Sequence, residues 1–504
     1  VRDVSPHYLP KDLPDAAQAY IESMPAGRVE LFSLTPLDVT GVPCWNAIFL
    51  NEDGTKFHGV VPHGVGYGTT DAEAIIGTTG ELAEAVHSAG AIARFARRTG
   101  SYAALAAELG PRGVTDPLTL CLPAGSPVDH DTVLEWVPAQ RWPSGATTWV
   151  PTEIAACSVG DLTPGYRPFT TPITNGLGAG PTLDFAIGHG LCELLQRDGN
   201  GIGFRAMDRG ITLDLGAGPS DPRTAALLAK LAALGIEVLP KFASTEFGVA
   251  GVYCVGGERS AAAPFPIMVT AAGEAASPDR EQALRKALFE FAAARARKAF
   301  SHAPLAAIAR IAPPGYVERF RFYHSLAGEE SRALRAMMEW CSASQDTLRS
   351  LLADTVLSRR SSIPFADLPA WDGPLSGTPL VAELSSRFGQ AGMEVLFVDF
   401  SPQSAANVHV VKAIVPGLEV ETMSYHRIGE RGVRKLLERG SRLAGLGTPP
   451  PGAAPVRLPA GAAERLGGPA WLDTAEIDRI VGHLYPLYRE PEVHSAPIAL
   501  EHRP

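Results

Sequence analysis

The chain has 504 residues, 45% of them apolar, a formal net charge of −10 and a near-neutral mean hydropathy. That is ample for a large buried core in one to three domains, and the acidic balance argues against general nucleic-acid binding. No run of about 18 apolar residues suggests a transmembrane helix, and the start "VRDVSPHYLPKDLP" lacks the charged-then-apolar pattern of a signal peptide. Six dispersed cysteines without a CxxC pair fit reduced thiols in a cytosolic protein.

Residues 1–28 read as a polar, proline-rich segment ending in a helix at "DAAQAYIESM". Strand-like runs follow in 29–50, broken by Pro36, Gly41 and Pro43. A glycine turn at Gly66-Tyr67-Gly68 leads into a helix predicted over 70–98. A short helix is expected at 101–109, stopped by Gly110-Pro111, then strands at 118–122 and 133–138 and a strand pair within 147–159. A second glycine turn, Gly176–Gly180, opens a helix to residue 198. The segment 265–300 repeats the design: strand, small-residue turn, and a long helix signalled by Ser277-Pro278-Asp279. The spacing of "EFAAARARKAF" reads as one basic helix face. Three strand–turn–helix units predict a repetitive α+β fold with the turns and helices facing a common centre. Residues 315–375 read as a helical insertion or connector, 376–442 as a return to α/β character, 443–470 as a Pro/Gly/Ala-rich flexible linker, and 471–504 as a last helix and tail.

Glu81 and Glu84 stand at i and i+3, so both carboxylates share a helix face. Such a pair suits Mg²⁺, which keeps waters and binds substrate phosphates; it equally describes a solvated acidic turn. Glu193 and Gln196 repeat the spacing, and Arg197 beside them could meet a phosphate or a surface carboxylate. The glycine turns could bring backbone N–H groups near a phosphate, but they fit neither GxxxxGK[ST] nor the dinucleotide fingerprint, and such turns are more often plain tight turns. His87 and His189 read as core or boundary residues, and Cys157 and Cys192 as small hydrophobes. No GxSxG elbow supports hydrolase chemistry.

Taken in order, "GELAEAVH", "NGLGAGPTLDFAIGHGLCELLQRD", "AASPDREQALRKALFEFAAARAR" and "VVKAIVPGLE" resemble the YcaO family over about residues 60–440. The resemblance implies a YcaO-like fold over 29–442, with ATP held between the glycine turns and helices and Mg²⁺ held by two Glu-x-x-Glu pairs. It places Glu81, Glu84, Glu193 and Gln196 at the metal positions. Asn175, Thr182, Arg197 and Lys412 fall at nucleotide-binding positions. Three family positions differ: Pro181 replaces an Asn, Phe185 a nucleotide-site Glu, and Gln196 the last acid of the second pair. Asp184 adjoins Phe185, but a neighbouring helix position points about 100° away. Tyr67 sits where many members carry Lys, and the C-terminal stretch "YPLYREPEVHSAPIALEHRP" lacks the PxPxP tail common in azoline-forming members.

The activity implied is ATP- and Mg²⁺-dependent cyclodehydration of Cys, Ser or Thr in a ribosomal precursor peptide to thiazoline or oxazoline. Two alternatives stand beside it: a non-catalytic YcaO scaffold or substrate-binding subunit, and amide activation for thioamide or macroamidine formation. Without a leader-gripping module ahead of residue 29, a ThiF-like leader-binding subunit is the expected partner. The same resemblance implies a precursor peptide, an oligomeric complex and a flavin-dependent azoline dehydrogenase.

Overall fold

The computed structural model describes residues 7–502 apart from Phe204, Ser260 and His324. Its helices and strands form a mixed architecture around four sheets. Arg28–Ser33, Cys44–Leu50 and His63–Tyr67 make an antiparallel three-stranded sheet. A six-stranded sheet runs Arg98–Ser101, Val133–Arg141, Leu396–Asp399, His409–Ile414, Leu177–Gly180, with Thr147–Pro151 also paired to Val133–Arg141. A five-stranded sheet runs Ala272–Ser277, Ala250–Glu258, Ile236–Ser244, Ile211–Asp214, Ser361–Pro364.

His63–Tyr67, Leu177–Gly180 and Ala272–Ser277 each lie at the edge of their own sheet. Each leads into a long helix: Asp71–Ser88, Leu183–Asn200 and Arg280–His302. The side chains of Thr70, Thr182 and Asp279 cap these helices, accepting from the N–H groups of Glu73, Phe185 and Gln282. Each helix packs on its own strand and also on the strand of the next segment. Thus 71–88 meets Leu177–Gly180, 183–200 meets Ala272–Ser277, and 280–302 meets His63–Tyr67, closing a ring.

The close approach of helix to strand depends on glycine. A Cβ on Gly66 would stand 2.1 Å from the Thr78 nitrogen, one on Gly178 2.2 Å from the Ala186 oxygen, and one on Gly273 2.1 Å from the Ala287 oxygen. The strand backbone therefore lies directly against the helix backbone. The N–H groups of the edge strands come within reach of carboxylates on the helices, which satisfies donors that an open sheet edge would leave unpaired.

Several local expectations differ. The first site helix ends at Ser88, and the chain turns through a 3₁₀ segment at Ala91–Arg94 into the strand Arg98–Ser101. Residues 117–119 form a 3₁₀ turn instead of a strand, because Pro117 opens it and Asp116 caps it. Within 147–159 only Thr147–Pro151 is a strand; a short helix, Thr152–Ala155, follows it. The stretch read as a linker carries the strands Ala444–Leu446 and Ala453–Pro455, both paired to Ala470–Asp473, and the helix Ala462–Leu466. Leu443, Val456 and Leu472 bury there in one apolar cluster with Ile477 and Val481. The basic residues of 290–300 do not form one solvated face. Arg295 is fully buried between Asp38 and Glu258, and Lys298 pairs with Glu490.

Gly66→Ala is expected to destabilise the protein by about 1–3 kcal/mol, the range for forcing atoms into a packed contact. In the 377–390 helix, a Cβ on Gly389 meets nothing within 4 Å. Gly389→Ala should therefore stabilise by about 0.5–1 kcal/mol. Urea unfolding midpoints of the two variants, moving in opposite directions, are the measurement.

Candidate active site

The three helices enclose a cavity of ≈ 1430 Å³. Helix 71–88 points Glu81 and Glu84 into it, helix 183–200 points Glu193, Gln196 and Arg197, and helix 280–302 points Lys286, Glu290 and Arg297. One hydrogen bond recurs in each segment. Val65 N–H donates to Glu81 Oε2 at 2.8 Å, Gly176 N–H to Glu193 Oε2 at 2.9 Å, and Glu274 N–H to Glu290 Oε2 at 3.0 Å. The donor and the glutamate are 16, 17 and 16 residues apart, so the three carboxylates are placed by the same local geometry.

Carboxylates gathered around one cavity act on each other electrostatically. Glu81 is open to the cavity while protein surrounds the cavity itself. Its carboxyl is raised by burial and by Glu193, against the pull of the Val65 N–H, His63 and Arg297. Glu84 is raised well above the usual range by burial, then by Glu81 and Glu193. Burial and the Glu274 carboxylate push Glu290 up to about 7, although the Glu274 N–H, Arg297 and Arg197 pull the other way. Glu274 shows the reverse balance: burial raises it, but Arg205 and Arg197 outweigh that and hold it low.

The donor set fits a divalent cation together with a polyanion. Oxygen ligands from separate helices face one space, and their repulsion is relieved by positive charge. Among the described residues no three His, Cys, Asp or Glu side chains form a ready metal cluster. A Mg²⁺ ion here would complete its shell with water and bound phosphate, as this ion commonly does. Arg197 Nε is buried with no hydrogen-bond partner, and its guanidinium lies 3.5 Å from Glu193 and 3.7 Å from Glu274.

The other nucleotide-binding expectations are placed differently. Lys412 is 3% exposed and does not line the cavity; its Nζ donates to the Ala156 and Ile173 carbonyls, both at 2.6 Å. Its antiparallel partner is Leu177, which lines the cavity, so Lys412 shares that face of the sheet while its amine is held by the two carbonyls. Thr182 is the helix cap, and neither it nor Asn175 lines the cavity. Pro181 and Phe185 do line it, with Phe185 37% exposed. Asp184 is turned away, held by Trp142 Nε1 at 2.9 Å and by the Thr378 hydroxyl. His87 is a buried residue bonded to the Ser23 hydroxyl at 2.9 Å. His189 is open to the cavity, with its pKa lowered to about 4 by burial and then by Lys286. Cys157 and Cys192 border the same space, and burial pushes both thiols up, which keeps them protonated.

Sequence reading did not single out Glu274, Lys286, Glu290 or Arg297. The signal for Glu290 was present: it stands as far beyond its capping residue, Asp279, as Glu81 stands beyond Thr70 and Glu193 beyond Thr182. Lys286 and Arg297 were hidden in an alternation of charge and alanine that also serves Arg295 and Lys298. The C-terminal stretch also reaches the site, with Glu492 and Val493 in the cavity wall.

A carboxyl raised on folding holds its proton more tightly in the folded chain. The contribution of Glu290 to stability is thus complete below the ordinary carboxyl value of 4.5 and is lost as pH rises through about 7. In magnesium-free buffer, Glu290→Gln is expected to gain stability relative to wild type between about pH 5 and about pH 8. Urea midpoints at both pH values check this; a difference constant with pH would count against it.

The family model described as YcaO cyclodehydratase, ATP- and Mg²⁺-binding, matches residues 65–419. An uncharacterized protein of Methanothermobacter thermautotrophicus is 27% identical over 416 residues, covering 80% of this chain and 93% of that protein. A solved YcaO structure from Methanopyrus kandleri, bound with AMPPCP and Mg²⁺, superposes with a TM-score of 0.51 at 20% identity, over 81% of this chain and 89% of that one. A heterocyclase solved in complex with substrate and cofactor gives a TM-score of 0.52 at 19% identity and covers 75% of this chain. This chain spans about half of that heterocyclase, 48% of its length. Both likenesses are of fold, and the family match extends over well more than half of the sequence and takes in Glu81, Glu84, Glu193, Glu274 and Glu290. The chain belongs to the YcaO family.

Proposed function

We propose that this chain is an ATP- and Mg²⁺-dependent, amide-activating enzyme of the cyclodehydratase type, acting on Cys, Ser or Thr of a ribosomal precursor peptide. The observation that carries the reading is the convergence of Glu81, Glu84, Glu193 and Glu290 from three helices on one cavity, with Arg197 and Arg297 among them. In the proposed reaction the side-chain thiol or hydroxyl adds to the preceding amide carbonyl, the amide oxygen leaves as phosphate, and a thiazoline or oxazoline remains. ATP with Mg²⁺ supplies the phosphoryl group that turns this oxygen into a leaving group. Glu81, Glu84 and Glu193 would hold the metal, with the Gln196 amide oxygen able to serve as a neutral ligand. Arg197 and Arg297 would neutralise charge on the phosphates.

The cavity has room for two ligands. Along helix 280–302 its lining runs from Lys286 to Phe300, which is about 21 Å at the helical rise. Phe185 and His189 border the Lys286 end, and Tyr316, Phe320 and Tyr323 border the Phe300 end. A nucleotide at the first and a peptide at the second would meet over the acids. A ThiF-like subunit for leader recognition and a flavin-dependent dehydrogenase for azoline oxidation are the proposed partners of an oligomeric complex. Amide activation for thioamide or macroamidine formation would use the same groups.

Pro181 and Phe185 support a second reading, a scaffold or substrate-binding subunit without nucleotide chemistry, since both put apolar surface into the cavity. Titration calorimetry separates the two. Wild type should bind MgATP, and Glu81→Ala with Glu84→Ala should weaken binding by roughly 100-fold or more. The complete complex should release phosphate only when precursor peptide is present. A wild-type chain that binds no MgATP, alone or in its complex, would favour the scaffold.

A further inference from the structure

Val65, Gly176 and Glu274 play the same part, since each donates its backbone N–H to the glutamate of its own helix. Of the three, Glu274 alone carries an acid. Because helix 183–200 packs on strand Ala272–Ser277, this carboxylate comes to lie beneath the polar end of that helix. It accepts from Asn200 Nδ2 at 2.8 Å, from Gln196 Nε2 at 3.3 Å and from Arg205 Nη2 at 3.3 Å, with Arg197 Nη1 at 3.7 Å. It is 8% exposed and borders the cavity.

Position 196 stands to Glu193 as position 84 stands to Glu81, three residues further along the helix. Helix 71–88 has a carboxylate there and helix 183–200 has an amide. A carboxylate at 196 would face that of Glu274 at the distance now spanned by a hydrogen bond, and two such groups do not both ionise. The amide at 196 and the acid at 274 are therefore complementary. Resting on the reading that the cavity binds MgATP, we propose that Glu274 supplies the negative charge that helix 183–200 does not place at position 196. It acts as a positioning residue that sets Gln196 and Arg197 for the phosphates of a nucleoside triphosphate. The Arg197 guanidinium lines the cavity, is 29% exposed and lies only 3.5 Å and 3.7 Å from Glu193 and Glu274, which leaves it donors for that ligand.

A double-mutant cycle with Gln196→Glu and Glu274→Gln tests the exchange. Calorimetry measures MgATP affinity, and urea unfolding without nucleotide measures stability. Each single variant should lose about tenfold in affinity, and the double variant should return to within about threefold of wild type. If Glu274→Gln does not fold, Glu274→Asp keeps the charge but withdraws it from Arg197, and the same loss of affinity is expected. Losses that multiply in the double variant would overturn the proposal. So would single variants that shift the unfolding midpoint and leave affinity intact. A wild type that binds no MgATP would overturn the functional reading itself. Unfolding of the four proteins then reports separately on the pair, and additivity there removes the coupling too.

Discussion

The arrangement depends on one contact made three times: a backbone N–H in an edge strand, or just before it at Gly176, given to a glutamate on the helix that follows. Open edges and buried carboxylates are each unfavourable alone. Joined, they satisfy each other, provided the two backbones can touch. Gly66, Gly178 and Gly273 permit that approach, and the capped helix starts fix where along each helix the glutamate appears. Ring closure, in which every helix also leans on the next strand, then brings three separately placed acids to one space.

Electrostatics make that space unusual. Burial first, and neighbouring acids second, raise the carboxyls of Glu81, Glu84 and Glu290. Several nearby cations are already paired: Arg295 with Asp38 and Glu258, Lys298 with Glu490, and Arg205, beyond the second helix, with Glu274 and Glu421. Fully paired buried charges hold structure in register and have little left to offer a ligand. Arg197 differs, lying close enough to two acids to be attracted but too far to be fully bonded. The site is thus organised by its scaffold and left electrostatically incomplete, which suits a cation bound together with an anion.

Helix 280–302 shows why residue type alone misled. Its alternating alanine and charge resembles a solvated basic face, yet the helix is wrapped on nearly every side. Small residues let neighbours close in, and each charge meets a different environment: a buried pair at Arg295, the cavity at Arg297, the C-terminal stretch at Lys298. Lys412 is held in another way. The cation expected at the nucleotide gives its Nζ to two backbone carbonyls, although it shares a sheet face with the cavity-lining Leu177 and Ala179.

By itself, the amino-acid sequence determined the three strand–turn–helix segments and the pairing of Glu81 with Glu84. It also determined the family and the exact place where the second helix departs from the first. These are local matters: caps, glycines, and periodicity within about twenty residues. Tertiary structure alone decided which acids meet. Glu274 and Gln196 are 78 residues apart, and only the packing of one segment's helix on the next segment's strand makes them partners. It decided also that the Pro/Gly/Ala-rich stretch folds onto an apolar cluster, since its short strands gain stability only from Ala470–Asp473 between them. Long-range pairing of this kind leaves no periodic trace in either partner, because each side chain answers to a neighbour that the chain reaches only after folding.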